Sequence, residues 1–199
     1  MAEGKKKIGG WLIAIIVVAI LVLWGISTNN KMVTAEEEVA KAWGNVENVY
    51  QRRADLIPNL VETVKGVADF EKSTLEAVVE ARAKATQTTI DPANLTEENM
   101  AAFQAAQDNL SQSLGRLMVV VERYPEIKAT TNFSELQAQL EGTENRIAVE
   151  RNKFNEAVQP YNSMIRKFPA SIVAKIAGFD KKAYFTAAEG SDVAPKVQF

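Results

Sequence analysis

Apolar residues are laid out along this chain in two ways. From Ile8 to Ile26 the stretch IGGWLIAIIVVAILVLWGI carries no charge on any face, whereas from Lys31 onward large apolar side chains recur at alternating steps of three and four with polar residues between them. As a helix, the first run extends roughly 28 Å at about 1.5 Å per residue, close to a bilayer's hydrocarbon thickness. The second pattern is that of amphipathic helices, each burying one stripe. The expected organisation is a short basic N-terminus at 1–7, a transmembrane helix at 8–27, a helical domain at 31–178 and an extended C-terminal tail at 179–199.

Val39, Trp43, Val46 and Tyr50 form the first stripe, whose next steps land on Arg53 and Ile57 before Pro58 interrupts the backbone hydrogen bonding. Proline suits the first turn of a helix, so Asp55 reads as an N-cap and Pro58 as the start of a second helix carrying Leu60, Val61, Val64, Leu75 and Val78. A kink in one continuous helix is the alternative. The stretch ATQTTIDPANLT is a loop. Thr96 then caps a third helix, with Glu97 and Glu98 in its first turn and a stripe from Met100 through Phe103, Leu110 and Leu117 toward Pro125. A fourth follows with Phe133, Leu140, Ile147, Phe154, Tyr161 and Ile165, bent by Pro160 and ended by Pro169. Ser171 is placed to cap a short helix, SIVAKIAGF, which Gly178 closes. The tail has no helical period but many large apolar groups, so it is expected to be extended and docked. Four long helices with short connections predict an all-α fold, an antiparallel up-and-down four-helix bundle, with a long helical hairpin as second choice.

Composition narrows the chemistry. The chain has no cysteine and no histidine, which removes disulfides, thiol nucleophiles, the common zinc sites and the Ser-His-Asp triad. Of 23 basic and 25 acidic residues, setting aside Lys5, Lys6, Lys7 and Glu3 with the first thirty leaves 20 and 24, a net charge of −4. Nucleic acid is not the expected partner of such a domain. No cofactor, metal or small-molecule ligand is predicted.

The apolar run exceeds the centre of an ordinary signal peptide, and Trp11 and Trp24 sit near its two ends, where indoles favour the headgroup region. Gly25 and Ser27 make only a poor cleavage site. The lipid bilayer is thus the first predicted partner, through 8–27. Three lysines precede the run and only Lys31 follows it closely, ahead of Glu36, Glu37 and Glu38; the positive-inside rule then puts the N-terminus in the cytoplasm and the bulk of the chain outside a bacterial inner membrane. The run lacks a Gly-x-x-x-Gly, so nothing specific points to dimerisation inside the membrane.

Arg53 stands out, because a guanidinium on an apolar seam must find an acceptor or reach water. It either snorkels, pairs with a carboxylate such as Glu144 to fix helix register, or binds a ligand. Leu117, Met118, Val119, Val120 and Val121 are apolar on every face of a helix. They are either core or, with the tail aromatics Tyr184, Phe185 and Phe199, a surface for a second copy or a protein partner. Ser171 and Lys175, one turn apart, are too generic a pair to argue a catalytic dyad. Consecutive Glu36, Glu37 and Glu38 point in different directions and form a solvated face rather than a calcium site.

The segments TENRIAVERNKFNEAVQPYNSMIRKFPASIVAKIAGF, YPEIKATTNFSELQAQLE and RRADLIPNLVETVKG together resemble the LemA family of bacterial membrane proteins, with Asn145-Arg146-Ile147, Tyr161-Asn162, Phe168-Pro169 and Gly178-Phe179 in the family's order. The resemblance implies one membrane helix followed by an antiparallel four-helix bundle, no agreed enzymatic activity, and no functional residues to carry over. It also implies, from a relative in magnetosome-forming bacteria, a link to internal membrane formation. The expected function is a non-enzymatic, membrane-anchored scaffold of the cell envelope acting through self-association or protein partners. The alternative is an adaptor or regulator of an envelope peptidase, which the family's genomic neighbourhoods suggest.

Overall fold

A computed structural model describes residues 3–66 and 71–186, with side chains from Gly10 onward. Its dominant element is α1, one helix from Glu3 to Lys65. At about 1.5 Å per residue it is roughly 95 Å long, and no break separates the apolar run from the first bundle stripe. Three further long helices pack beside its second half: α2 (Lys72–Gln87), α3 (Glu97–Val121) and α5 (Thr131–Arg166). A single turn, α4 (Pro125–Lys128), and a short helix, α6 (Ala170–Ala177), complete the helical set. The chain is all-α, and successive long helices alternate in direction. Arg82 of α2 and Ile90, just after it, meet Ala54 and then Trp43 of α1, and Arg123, just past the end of α3, meets Glu71 at the start of α2.

Several helix ends follow from local chemistry. Thr96 accepts from the Asn99 N–H at 3.2 Å, as an N-cap does. Thr130 does the same for Phe133 at 3.3 Å and so caps α5. Asp91 accepts from Ala93 N–H and starts the 3-10 turn Pro92–Asn94. Gly178, at φ 79°, closes α6 in the left-handed conformation that glycine adopts without steric penalty. Ser171, by contrast, is not the cap of α6; it lies inside the helix, which Pro169 opens without a side-chain hydrogen bond.

The second expected helix requires correction. No helix starts at Pro58, which lies inside α1. The break comes later, after Lys65, and α2 begins at Lys72, so the stripe from Leu60 to Val78 belongs to two helices. Proline's missing N–H orphans the Ala54 carbonyl, and Arg82 of α2 satisfies it, which lets α1 continue.

Two apolar clusters fill the bundle. One, beside the apolar run, gathers Met32, Val39, Trp43 and Tyr50 with Phe103, Phe154, Tyr161 and Ile165. The other, at the far end, gathers Ile57, Leu60 and Val64 with Val78, Leu110, Leu117, Phe133 and Leu140. The apolar run itself has no protein cover: its best window has a mean hydropathy of 2.6 and none of it is buried within the chain.

Candidate functional site

Between the two clusters lies a layer of polar side chains centred on Arg53, which is only 1% exposed. Arg53 donates through one terminal nitrogen to Ser111 Oγ at 2.8 Å and to Glu144 Oε1 at 2.7 Å. Through the other it donates to Gln107 Oε1 at 2.7 Å and to the Gln107 carbonyl at 3.3 Å. Gln107 in turn donates to the Ala85 carbonyl at 3.2 Å, so one guanidinium links α1, α3 and α5 directly and reaches α2 through Gln107. The guanidinium also stands 5.1 Å from the centre of the Tyr50 ring, a cation–π contact. Glu144 keeps 46% of its side chain exposed, so the carboxylate sits at the edge of the layer while the guanidinium lies at its centre.

The sequence singled out Arg53 and Glu144, and the fold brings them together. It passed over Gln107 and Ser111, although Gln107 interrupts the α3 stripe between Phe103 and Leu110 in the way Arg53 interrupts that of α1. On one side of the layer a cleft of about 60 Å³ is lined by Glu47, Tyr50, Thr86, Thr89, Phe103 and Gln107. Burial raises the Glu47 carboxyl above its ordinary value of 4.5. Burial likewise pushes the Tyr50 phenol up, with Arg151 and Arg53 pulling against it.

Of the two readings of the apolar run in α3, core or interaction surface, most of its residues take the first. Leu117, Val120 and Val121 are buried in the far cluster and Met118 packs against it, leaving Val119, 71% exposed, as the outward residue. The reason is that α3 packs closely on α2 and sends Leu114, Leu117 and Val121 into the same cluster as Val78 of α2 and Phe133 and Leu140 of α5. Phe185 is also core: it stacks on Trp43 at 5.9 Å between ring centres and meets Phe154 edge-on. Tyr184 is half-buried. Phe199 lies outside the described residues.

The described part of the tail is extended and docked along α5. Asn162 accepts from the Lys182 N–H at 2.9 Å and donates to the Lys182 carbonyl at 2.8 Å. Asn155 treats Phe185 in the same way, at 2.9 and 3.0 Å. Seven helical residues rise about 10.5 Å and three extended residues about 10 Å, so the two asparagines meet the tail in step. Between them the Ala183 N–H reaches the Leu95 carbonyl at 2.8 Å, and Lys182 pairs with Glu36 at 2.8 Å. Glu36 thus has a partner, while Glu37 and Glu38 are exposed. Ser171 and Lys175 both lie inside α6, one turn apart, and nothing in their placement argues a dyad.

A helical bundle whose first helix extends continuously into an uncovered apolar span, long enough to cross a bilayer, defines a helical membrane protein. Residues 42–199 match the model of the LemA family, and the chain belongs to that family. It is similar to Magnetosome protein MamQ 2 of Paramagnetospirillum magneticum, 30% identical over 173 residues, and to Magnetosome protein MamQ of Magnetospirillum gryphiswaldense, 28% identical over 173 residues. Each alignment covers 78% of this chain and 64% of the relative, so the chain spans less than two thirds of their length. It is also similar to Protein LemA of Metamycoplasma hominis, 21% identical over 186 residues, covering 94% of this chain and 81% of the relative.

Proposed function

We propose that the protein is a membrane-tethered scaffold of the bacterial envelope, without enzymatic activity, that presents a rigid bundle at a fixed height above the inner membrane. The observation that carries this reading is the continuity of α1 from Gly10 through the bundle to Lys65. A helix uninterrupted at the membrane surface transmits both distance and tilt, which a flexible linker would lose. Confinement to a membrane raises effective concentration, so weak contacts with a second copy or a protein partner suffice for assembly. The kinship with proteins named for the magnetosome favours a role in membrane organisation. The lysines ahead of the apolar run favour an N-terminus in the cytoplasm and a bundle outside.

The test is crosslinking in intact membranes with the wild-type chain and with a flexible Gly-Ser linker inserted after Asn30. The scaffold reading expects discrete adducts from wild type and their loss or change on insertion. A wild type that returns only monomer overturns the scaffold, and adducts indifferent to the linker overturn the rigid coupling.

A further inference from the structure

The end of the bundle nearest the apolar run carries a second apolar feature that protein does not cover. Ile176 is 83% exposed, Phe168 82% and Ile172 52%. They follow one another at intervals of four along the α5–α6 junction and α6. At about 100° per residue Ile172, Lys175 and Ile176 share one face of α6, within roughly 100° of arc. The opposite side, with Ala174 buried and Ala170 and Val173 packed beneath, rests on the cluster that contains Met32 and Ala35. The short helix is thus held by the bundle with its apolar face turned outward.

Its height relative to the membrane follows from α1. An open groove is lined jointly by Leu23 and Ile26 of the apolar run, by Asn30 and Ala35, and by Pro160 and Met164 of α5. The last turns of α5 therefore stand beside the point where the apolar run ends, and α6 begins four residues after α5. From Ile26 to Met32, the first core residue, α1 rises about 9 Å. The headgroup region extends some 5 to 7 Å beyond the hydrocarbon on each side, and interfacial helices bed their apolar faces by about 5 to 10 Å. A helix roughly 10 Å across at this level meets the interface. Around it Arg166, Lys167 and Lys175 are exposed, and none of them forms an ion pair among the described residues.

Resting on the membrane-spanning reading of α1, we infer that α6 is a second membrane contact, an interfacial element that beds Phe168, Ile172 and Ile176 at the headgroup–acyl boundary and sets Arg166, Lys167 and Lys175 against anionic phospholipid headgroups. The anchor restrains the bundle at one point, and α6 then fixes which side of the bundle faces the bilayer. Acyl burial and charge attraction act together, as in other interfacial helices.

The chain has no cysteine, so single labels can be placed without removing native thiols. Full-length Ile176→Cys and, as a reference at the far end, Val119→Cys are labelled with an environment-sensitive fluorophore. Each is reconstituted into phosphatidylcholine vesicles with and without phosphatidylglycerol, and quenching by lipids spin-labelled near the headgroup is read after flotation. The expected result is a blue-shifted emission and at least twofold stronger quenching at 176 than at 119, greater in the anionic vesicles. Chain that floats while the label at 176 keeps aqueous emission overturns the inference and leaves the anchor standing. Chain that fails to float overturns the anchor itself. A blue shift without lipid quenching assigns the face to protein instead, and equal quenching in both vesicle types overturns the anionic headgroup assignment.

Discussion

Arg82 donates its Nε–H to the Ala54 carbonyl at 2.7 Å, and that carbonyl is the acceptor which Pro58, four residues on, cannot serve. A proline in a helix interior ordinarily breaks or kinks it, because one hydrogen bond is lost and the ring crowds the preceding turn. Here α2 supplies the missing donor across the bundle. Arg82→Met is expected to lower stability by about 1 to 3 kcal/mol, the penalty for a backbone acceptor left without a partner. In a Pro58→Ala background the residue-58 N–H can take over, so the same change should cost less by about 0.5 kcal/mol or more. Thermal unfolding of the four proteins of this cycle in detergent measures the coupling, and strict additivity would refute the compensation.

The Arg53 layer predicts an asymmetry between the two members of its charge pair. Glu144 is half exposed and its loss leaves Arg53 bonded to Ser111 and Gln107, so Glu144→Gln should cost less than about 1 kcal/mol, as exposed pairs do. Arg53→Met instead strands the buried amide of Gln107 and removes the link between three helices. Its expected cost is about 1 to 3 kcal/mol. An unchanged or raised melting temperature for Arg53→Met would show that the layer contributes specificity of register without stability, as replaced buried ion pairs sometimes do.

Much of this architecture was legible because each helix carries its own stripe. Trp43, Phe103, Phe154 and Phe133 were expected to be core from spacing alone, and all four are buried. The second helix was misplaced because the punctuation was weighed wrongly. Pro58 is a strong local signal, but its effect was cancelled by a side chain 24 positions later in sequence, while Gly66, at the true end of α1, sits among residues that continue the helical period. Residues 117–121 show the same limit. An all-round apolar turn fits equally a helix enclosed by neighbours and one awaiting a partner, and only the shared cluster of the far end decides. The role of the tail-clamp asparagines was hidden for another reason: their partners lie 20 and 30 residues away, and although Tyr161-Asn162 is part of the family resemblance, no spacing ties Asn155 or Asn162 to the tail.

Glu47 predicts the sign of one pH effect. Burial raises its carboxyl above the ordinary 4.5, so in the window between 4.5 and the folded value the native state holds the proton more tightly than the unfolded chain. The favourable contribution is complete below 4.5 and is lost as pH rises through the folded value, leaving the full cost of the ionised, half-buried group at neutral pH. Glu47→Gln keeps the shape and removes the charge. It should melt higher than wild type at pH 7, with the difference shrinking toward pH 4. Parallel melting curves across that range check it, and a gap that widened on acidification would have the wrong sign.

The asparagine clamp makes the tail a structural part of the bundle rather than an appendage. Each amide offers the extended backbone what a neighbouring β-strand would, one acceptor for an N–H and one donor for a carbonyl, and the two sites are spaced to match the rise of helix and tail. Between them the tail delivers Phe185 to Trp43, with Arg151 4.7 Å above the Phe185 ring. Removing either amide leaves two backbone groups without partners, so Asn155→Ala and Asn162→Ala should each cost about 1 to 3 kcal/mol. Phe185→Ala should cost about 3 to 5 kcal/mol, because it opens a cavity against Trp43 and Phe154. Limited proteolysis separates docking from global stability. Cleavage between residues 179 and 186 should speed up in both asparagine variants at temperatures where α1 to α5 remain folded by circular dichroism. In the double variant the steps should be less than additive, since a tail already released at one amide has less to lose at the other. Fully additive losses with wild-type cleavage rates would mean that the tail is held by its other contacts, among them Phe185 on Trp43, Ala183 on Leu95 and Lys182 on Glu36.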